Sequence, residues 1–234
     1  MIQFGHGSHV GRRRQHNEDT YLADAGLGLW LVADGMGGHA HGEVASALAR
    51  DAIRARIGSG ESLVHAIRDA AGRIADQRML GSGQELPMGT TIAAIRADEQ
   101  GFEAAWVGDS RIYLWDGASL TQISRDHSYV QDLVRQGSLT PGEARRHPQR
   151  NVVTQALGVT ETDALEIATV EQPWNRDQQL LLCSDGLTEE VDDAGIAQIF
   201  ARGYAPQETA DHLIHAALHA GGSDNITVVV LKRC

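Results

Sequence analysis

Lysine is almost missing from this sequence, for Lys232 beside the C-terminus is the single copy in 234 residues. A P-loop, a kinase-type strand lysine and a Schiff-base lysine therefore all lack their central residue. Cysteine is nearly as scarce. Cys183 within an apolar run and Cys234 at the last position cannot build a disulfide framework or a thiolate zinc site, and they suit a reducing compartment. A CxxxxxR phosphatase loop is excluded, because six positions after Cys183 stands Glu189. Neither DxDxT nor GxSxG occurs, which removes phosphoaspartate and nucleophile-elbow chemistry. No apolar run approaches bilayer length and the opening residues lack a signal-peptide core, so a cytoplasmic protein is expected. Cations are outnumbered, with Lys+Arg 20 against Asp+Glu 31, and the net charge of −11 repels phosphate backbones and anionic lipid. Neither nucleic acid nor a membrane is an expected partner.

What is present is globular, with 42% hydrophobic and 22% charged residues over a length that suits one domain, 1–234. Apolar positions Ala45, Leu48, Ala49, Ala52, Ile53 and Ile57 mark one helix, Leu63, Ile67, Ala70, Ala71 and Ile74 a second, and Ala210, Leu213, Ile214, Ala217 and Leu218 a third. Strands are expected at Leu29 to Ala33, Thr90 to Ile95, Ala104 to Val107, Arg111 to Trp115, Leu180 to Cys183 and Ile226 to Leu231. Strict strand–helix alternation is absent, which argues for α+β layers with helices flanking an antiparallel sheet or sandwich.

The informative pattern is where aspartates fall. Three apolar runs end in acid, at Asp34-Gly35, Asp109-Ser110 and Asp185-Gly186, while Asp224-Asn225 opens the last strand and Asn17-Glu18-Asp19 precedes another apolar segment. One Asp-Gly is ordinarily a turn. If these strand ends converge, the carboxylates repel one another and call for cations, and oxygen-only ligands suit Mg²⁺ or Mn²⁺ rather than zinc.

Arg14-Gln15-His16-Asn17-Glu18-Asp19, Asp34-Gly35-Met36-Gly37-Gly38-His39, Gly108-Asp109-Ser110-Arg111, Ser184-Asp185-Gly186 and Ser223-Asp224-Asn225 occur in that order, with Asp126-His127-Ser128 and His147-Pro148 between. Together they resemble the motif set of PPM/PP2C-type protein serine/threonine phosphatases in their compact bacterial form. The resemblance implies a four-layer α-β-β-α sandwich, two antiparallel sheets flanked by helices, with a two-metal site at the sheet edges. It implies that Asp34 bridges both metals, the Gly35 carbonyl joins one, Asp185 and Asp224 bind one, and Asp19 reaches the other directly or through water. Glu18 is the alternative acid of that pair. Asp109 would belong to a third metal position sharing Asp185, with Glu189 as an outer acid.

Two divalent cations, Mn²⁺ or Mg²⁺, would hydrolyse a phosphate monoester through a bridging hydroxide, without a phosphoenzyme. Arg14 is the expected phosphate clamp, since a guanidinium holds two phosphate oxygens at once; a salt bridge to a neighbouring acid is the competing role. His39 is the candidate general acid for the leaving alkoxide, with a metal-held water as the alternative. His41, His212, His215 and His219 read as surface histidines. Residues 126–158, with a Thr140-Pro141 helix start and the basic Arg145-Arg146-His147, resemble the family's flap beside the active site. The expected partners are phosphorylated Ser/Thr proteins, a Ser/Thr kinase or its substrate, met by a monomer. A phosphoprotein-binding protein without activity and a hydrolase of small phosphoesters are the other readings.

Overall fold

Period-two alternation builds the strands and decides what each of their faces touches. The computed structural model describes residues 1–37, 41–79 and 88–234. The chain runs β1 (Ile2–His9), β2 (Asp19–Asp24), β3 (Leu29–Met36), then helices α1 (His41–Gly58) and α2 (Leu63–Met79). Five strands follow: β4 (Gly89–Thr90), β5 (Ile92–Ala97), β6 (Gly101–Val107), β7 (Arg111–Trp115) and β8 (Leu120–Gln122). Two short helices, α3 (Tyr129–Arg135) and α4 (Pro141–Ala144), precede β9 (Ala168–Pro173) and β10 (Gln179–Cys183). Helices α5 (Asp185–Thr188), α6 (Asp193–Phe200) and α7 (Pro206–Ala220) lead to β11 (Ile226–Arg233).

The strands form two antiparallel sheets, one in the order β1-β11-β10-β7-β8 and one in the order β2-β3-β5-β6-β9 with β4 beside β3. Alternate residues of each strand point to opposite faces. Trp30 and Val32 of β3, Ala93 and Ile95 of β5, Leu180 and Leu182 of β10, and Val229 and Leu231 of β11 meet between the sheets. Their neighbours Leu29, Leu31 and Ala33 face the other way, onto the buried stripe of α1 and α2. Leu181, Cys183, Val228 and Val230 likewise face α6 and α7. The result is the expected α-β-β-α sandwich. Each fully buried Leu, Ile or Val adds roughly 1.5–3 kcal/mol, and Trp30 and Trp174, both at most 1% exposed, fill the middle layer.

The three expected helices and six expected strands are all present, with one break: Thr90 to Ile95 is interrupted at Thr91, whose N–H donates to the Asp34 carbonyl at 2.9 Å. Strands β1, β8 and β9 escape the sequence pattern, and β2 is marked there only as an apolar segment after Asp19. All four lie at sheet edges, and β1 carries glycines because α7 lies against it: a Cβ on Gly5 would run into the backbone of Gln207. Helix α4 starts as expected, with Thr140 and Glu143 closing a reciprocal cap and Pro141 in the first turn. Among the described residues no helix is long and apolar enough to cross a membrane.

Candidate metal centre

At one end of the sandwich, the inward-facing series of β3, β5, β7, β10 and β11 turn from apolar to polar. Val32 is followed two residues on by Asp34, Ile112 is preceded by Ser110 and Ala93 by Thr91, Leu182 is followed by Ser184, and Val229 is preceded by Thr227 and Asn225. On β2 the inward series ends at Asp19, which pairs in register with Asp34. Hydroxyls tie this rim together across the sheets: the Thr91 and Ser110 oxygens lie 2.7 Å apart, the Asp34 N–H donates to Thr91 Oγ1 at 3.1 Å, and Ser184 Oγ donates to Asp19 Oδ2 at 2.7 Å.

The carboxylates perturb one another. Burial first, then Asp19, Asp185, Asp109 and Asp224, hold Asp34 well above the usual carboxylate range. Asp185 is raised by burial, then by Asp109, Glu189, Asp224 and Asp19. Burial pushes Asp19 up to about 6, with Ser184 and Thr227 pulling the other way, and pushes Asp109 up to about 7, with Asp126 adding to it. All five predicted aspartates therefore reach one cleft. Among the described residues no three His, Cys, Asp or Glu side chains already stand in a closed ligand cluster. The fit to a cation rests instead on two observations, the mutual repulsion and Asp19 Oδ1, which is buried with no hydrogen-bond partner. An all-oxygen donor set carrying surplus negative charge suits a hard divalent cation.

Arg14 lies at this cleft, where its Nη2 sits 2.6 Å from Asp224 Oδ2. The partner is thus Asp224, distant in sequence, and not the adjacent Glu18 or Asp19. Asn225, to which sequence reasoning gave no role, holds the loop in place. Its side chain accepts from the Glu18 N–H at 2.8 Å and donates to the carbonyls of Val10 at 3.0 Å and His16 at 2.9 Å. Gly186 brings α5 onto this loop, since a Cβ there would strike the Asn225 carbonyl. Of the acidic pair, Asp19 is buried and faces Asp34, whereas the Glu18 carboxyl lies near Gly42 at the start of α1.

A cavity of about 450 Å³ extends from Asp109 and Asp185 beneath α3 and α4, with Val130 and Val134 on its flap side. Across it Arg111 is clamped to Asp126 at 2.7 Å and donates to the Tyr113 hydroxyl, which donates to Asp193 at 3.1 Å. Arg145 of the flap reaches the same Asp193 at 3.3 Å. Glu189 is raised by burial, with Arg150 and Asn151 pulling it the other way. Sequence reasoning missed Asp126 as the partner of Arg111, and Thr91, Ser110 and Ser184 as rim hydroxyls; the period-two step beyond each inner strand face is the signal that finds them.

His39 lies outside the described residues. His212, His215 and His219 are exposed on α7, as expected, and His212 stacks on Tyr204 at 4.4 Å. Cys183 is fully buried and its thiol is pushed up to about 12, which agrees with the absence of cysteine chemistry.

A family model described as Protein phosphatase 2C matches residues 6–220. The serine/threonine phosphatase stp of Listeria welshimeri is 37% identical over 236 residues, covering 95% of this chain and 92% of that protein. A crystal structure of the Mycobacterium tuberculosis serine/threonine phosphatase PstP/Ppp superposes with a TM-score of 0.90 at 38% identity, over 99% of this chain and 98% of that one. The catalytic domain of PstP in complex with two manganese ions superposes at 0.87 with 36% identity, over 99% and 97%.

Proposed function

Because the chain belongs to the protein phosphatase 2C family, we propose that its acidic cleft hydrolyses phosphoserine and phosphothreonine in proteins, opposing a Ser/Thr kinase. The observation that carries this is the convergence of Asp19, Asp34, Asp109, Asp185 and Asp224 against their own repulsion, with one Asp19 oxygen left unpaired. Asp34, the Gly35 carbonyl, Asp185 and Asp224 would hold two Mn²⁺ or Mg²⁺ ions with Asp19 beside them, and Asp109 with Asp185 a third. Such a pair supplies an activated water and neutralises the charge that develops on the phosphoryl oxygens.

The chain's own residues do the rest. Arg14 exchanges Asp224 for the substrate phosphate, which frees an Asp224 oxygen as the phosphate arrives. Ser184, itself held by the Thr227 N–H, orients Asp19, and Thr91 fixes the backbone at Asp34, so the donors are placed before substrate binds. His39 is proposed to protonate the leaving serine or threonine oxygen. Residues 126–158 act as a flap over the cavity within a single phosphatase domain. Two free thiols, one buried, suit the cytoplasm as the place of action.

The test is phosphate release from a phosphothreonine peptide with Mn²⁺, with EDTA, and with Mn²⁺ on Asp185→Ala. Release that needs both metal and Asp185 is expected; release by the variant at the parent rate would overturn the metal assignment, and none by the parent would favour phosphoprotein binding without turnover.

A further inference from the structure

Asp224 reaches the cleft on a short loop, Gly221-Gly222-Ser223, that follows α7 and has little conformational preference of its own. Two consecutive glycines leave the chain free, and Gly222 uses that freedom with a φ of 57°. What fixes the loop comes from another element. Glu190 Oε1 accepts from the Ser223 N–H at 2.9 Å and from the Ser223 hydroxyl at 2.6 Å. A carboxylate acceptor makes such bonds roughly twice as strong as neutral ones. Gly221 lies against the same carboxylate, which a Cβ there would strike. The loop also meets the segment that carries Arg14, since the Arg12 N–H donates to the Gly222 carbonyl at 2.7 Å and a Cβ on Gly11 would strike the Asp224 carbonyl.

The place of Glu190 in the chain gives this grip a consequence. Glu190 follows directly on the turn that closes α5, where its N–H donates to the Leu187 carbonyl at 3.3 Å. One short stretch of chain therefore starts with Asp185 and finishes by holding the loop of Asp224. Between them, Gly186 seats α5 on the Asn225 carbonyl. The spacing of Asp185 and Asp224 is thus set at two points, by backbone packing at Gly186 and by the Glu190 carboxylate at Ser223. Because Arg14 Nη2 lies 2.6 Å from Asp224 Oδ2, the resting place of the guanidinium depends on the same loop.

Resting on the phosphatase reading, we propose that Glu190 is a positioning residue for that reaction: through Ser223 it places Asp224 where it can share a divalent cation with Asp185. Groups that orient the ligands of a metal typically account for about 10–100-fold in metal affinity or activity. Glu190 acts on the backbone and hydroxyl of the neighbouring residue rather than on the Asp224 carboxylate itself, so its effect belongs at the lower end, about tenfold in Mn²⁺ affinity.

The test is calorimetric titration of Mn²⁺, well below the melting temperature, beside phosphate release from a phosphothreonine peptide, on the parent, Glu190→Ala, Glu190→Gln, Ser223→Ala and the double variant Glu190→Ala with Ser223→Ala. Glu190→Ala is expected to bind Mn²⁺ about tenfold more weakly, and Glu190→Gln, which keeps an acceptor oxygen in the same place, to return to within about threefold of the parent. Ser223→Ala keeps the N–H bond and should cost about threefold, and it should cost nothing further once Glu190 is alanine. A merely structural Glu190 would lower the melting temperature in EDTA without moving Mn²⁺ affinity. Unchanged Mn²⁺ affinity in Glu190→Ala, or a glutamine variant no better than alanine, overturns this inference and leaves the phosphatase reading intact. If Glu190→Ala does not fold, Ser223→Ala decides, and unchanged affinity there overturns it. A parent that binds Mn²⁺ but releases no phosphate overturns the phosphatase reading alone, and a parent that binds no Mn²⁺ overturns both.

Discussion

Asp19 and Asp34 stand opposite one another in the β2–β3 ladder, with both carboxylates directed between the sheets. A strand pair ordinarily avoids like charges at opposed positions, because they destabilise the ladder. Under the proposed function, a cation held by this pair would turn that repulsion into ligation. Asp34→Asn should therefore melt at a higher temperature than the parent in EDTA, by an amount worth about 1 kcal/mol, yet gain nothing from Mn²⁺ and lose phosphatase activity at least about 100-fold. Parallel thermal melts with and without Mn²⁺ check this. A variant no more stable than the parent in EDTA would show that the two carboxylates do not repel.

The raised acids also predict how metal-free stability moves with pH. Asp19 and Asp109 go from an ordinary value of 3.8 up to about 6 and about 7, so over that interval the folded protein binds more protons than the unfolded chain. Stability from these groups is fully present below the ordinary value and is lost as pH rises through the folded values. In EDTA the melting temperature should fall between about pH 4 and 7, against the usual carboxylate trend, and saturating Mn²⁺ should remove the fall, because cation and proton compete for the same oxygens. The Mn²⁺ concentration for half-maximal stabilisation should drop over the same window.

Much of this was legible in the sequence, and the reasons are local. Continuous apolar runs mark β3, β7, β10 and β11, because both faces of those central strands are buried. The acids that end or open them mark the site as well: Asp34 continues the inner face of β3, while Asp109, Asp185 and Asp224 each adjoin the residue that continues an inner face, Ser110, Ser184 or Asn225, where the strand stops. The four edge strands were hidden: β1 and β9 carry Gly5, Gly7 and Pro173 in place of a continuous apolar run, β8 is three residues long, and β2 showed only as an apolar segment after Asp19. The partner of Arg14 was hidden as well. Asp224 lies 210 residues away, and the β1–β11 pairing, the bond from the Arg12 N–H to the Gly222 carbonyl and the Asn225 bonds to the loop carbonyls bring the two together.

Arg14 tests whether that ion pair is a resting state or an end in itself. If the guanidinium serves the substrate phosphate, Arg14→Ala should raise KM for a phosphothreonine peptide about tenfold with a smaller loss of kcat, and Arg14→Lys should recover only part, since an ammonium cannot grip two oxygens at once. An unchanged KM would leave Arg14 as a salt-bridge partner of Asp224 and nothing more.

Arg111 and Asp126 form a largely buried pair joined by three hydrogen bonds, with Tyr113 as a further acceptor. Removing one member strands the other's charge next to Asp109. Arg111→Met should cost about 3–5 kcal/mol, and Arg111→Met with Asp126→Leu should return much of it. Urea unfolding of the two single variants and the double variant would show the coupling, and strictly additive losses would contradict it.

Two glycines give opposite expectations for the same substitution. Gly72 lies within α2 with open space around the position a Cβ would take, so Gly72→Ala should stabilise the protein by about 0.5–1 kcal/mol through helix propensity and a less flexible unfolded chain. Gly186 follows Asp185, and its missing Cβ lets α5 lie on the Asn225 carbonyl and the Asp224 backbone. An alanine there must push α5 away from β11, and backbone on one side with a buried helix on the other leaves no flexible side chain to yield. Gly186→Ala should cost about 1–3 kcal/mol and weaken Mn²⁺ binding by separating Asp185 from Asp224, while Gly72→Ala leaves metal binding as it was. Titration of Mn²⁺ by calorimetry on both variants distinguishes the two effects, and undiminished Mn²⁺ affinity in Gly186→Ala would mean that Asp185 and Asp224 do not share a cation.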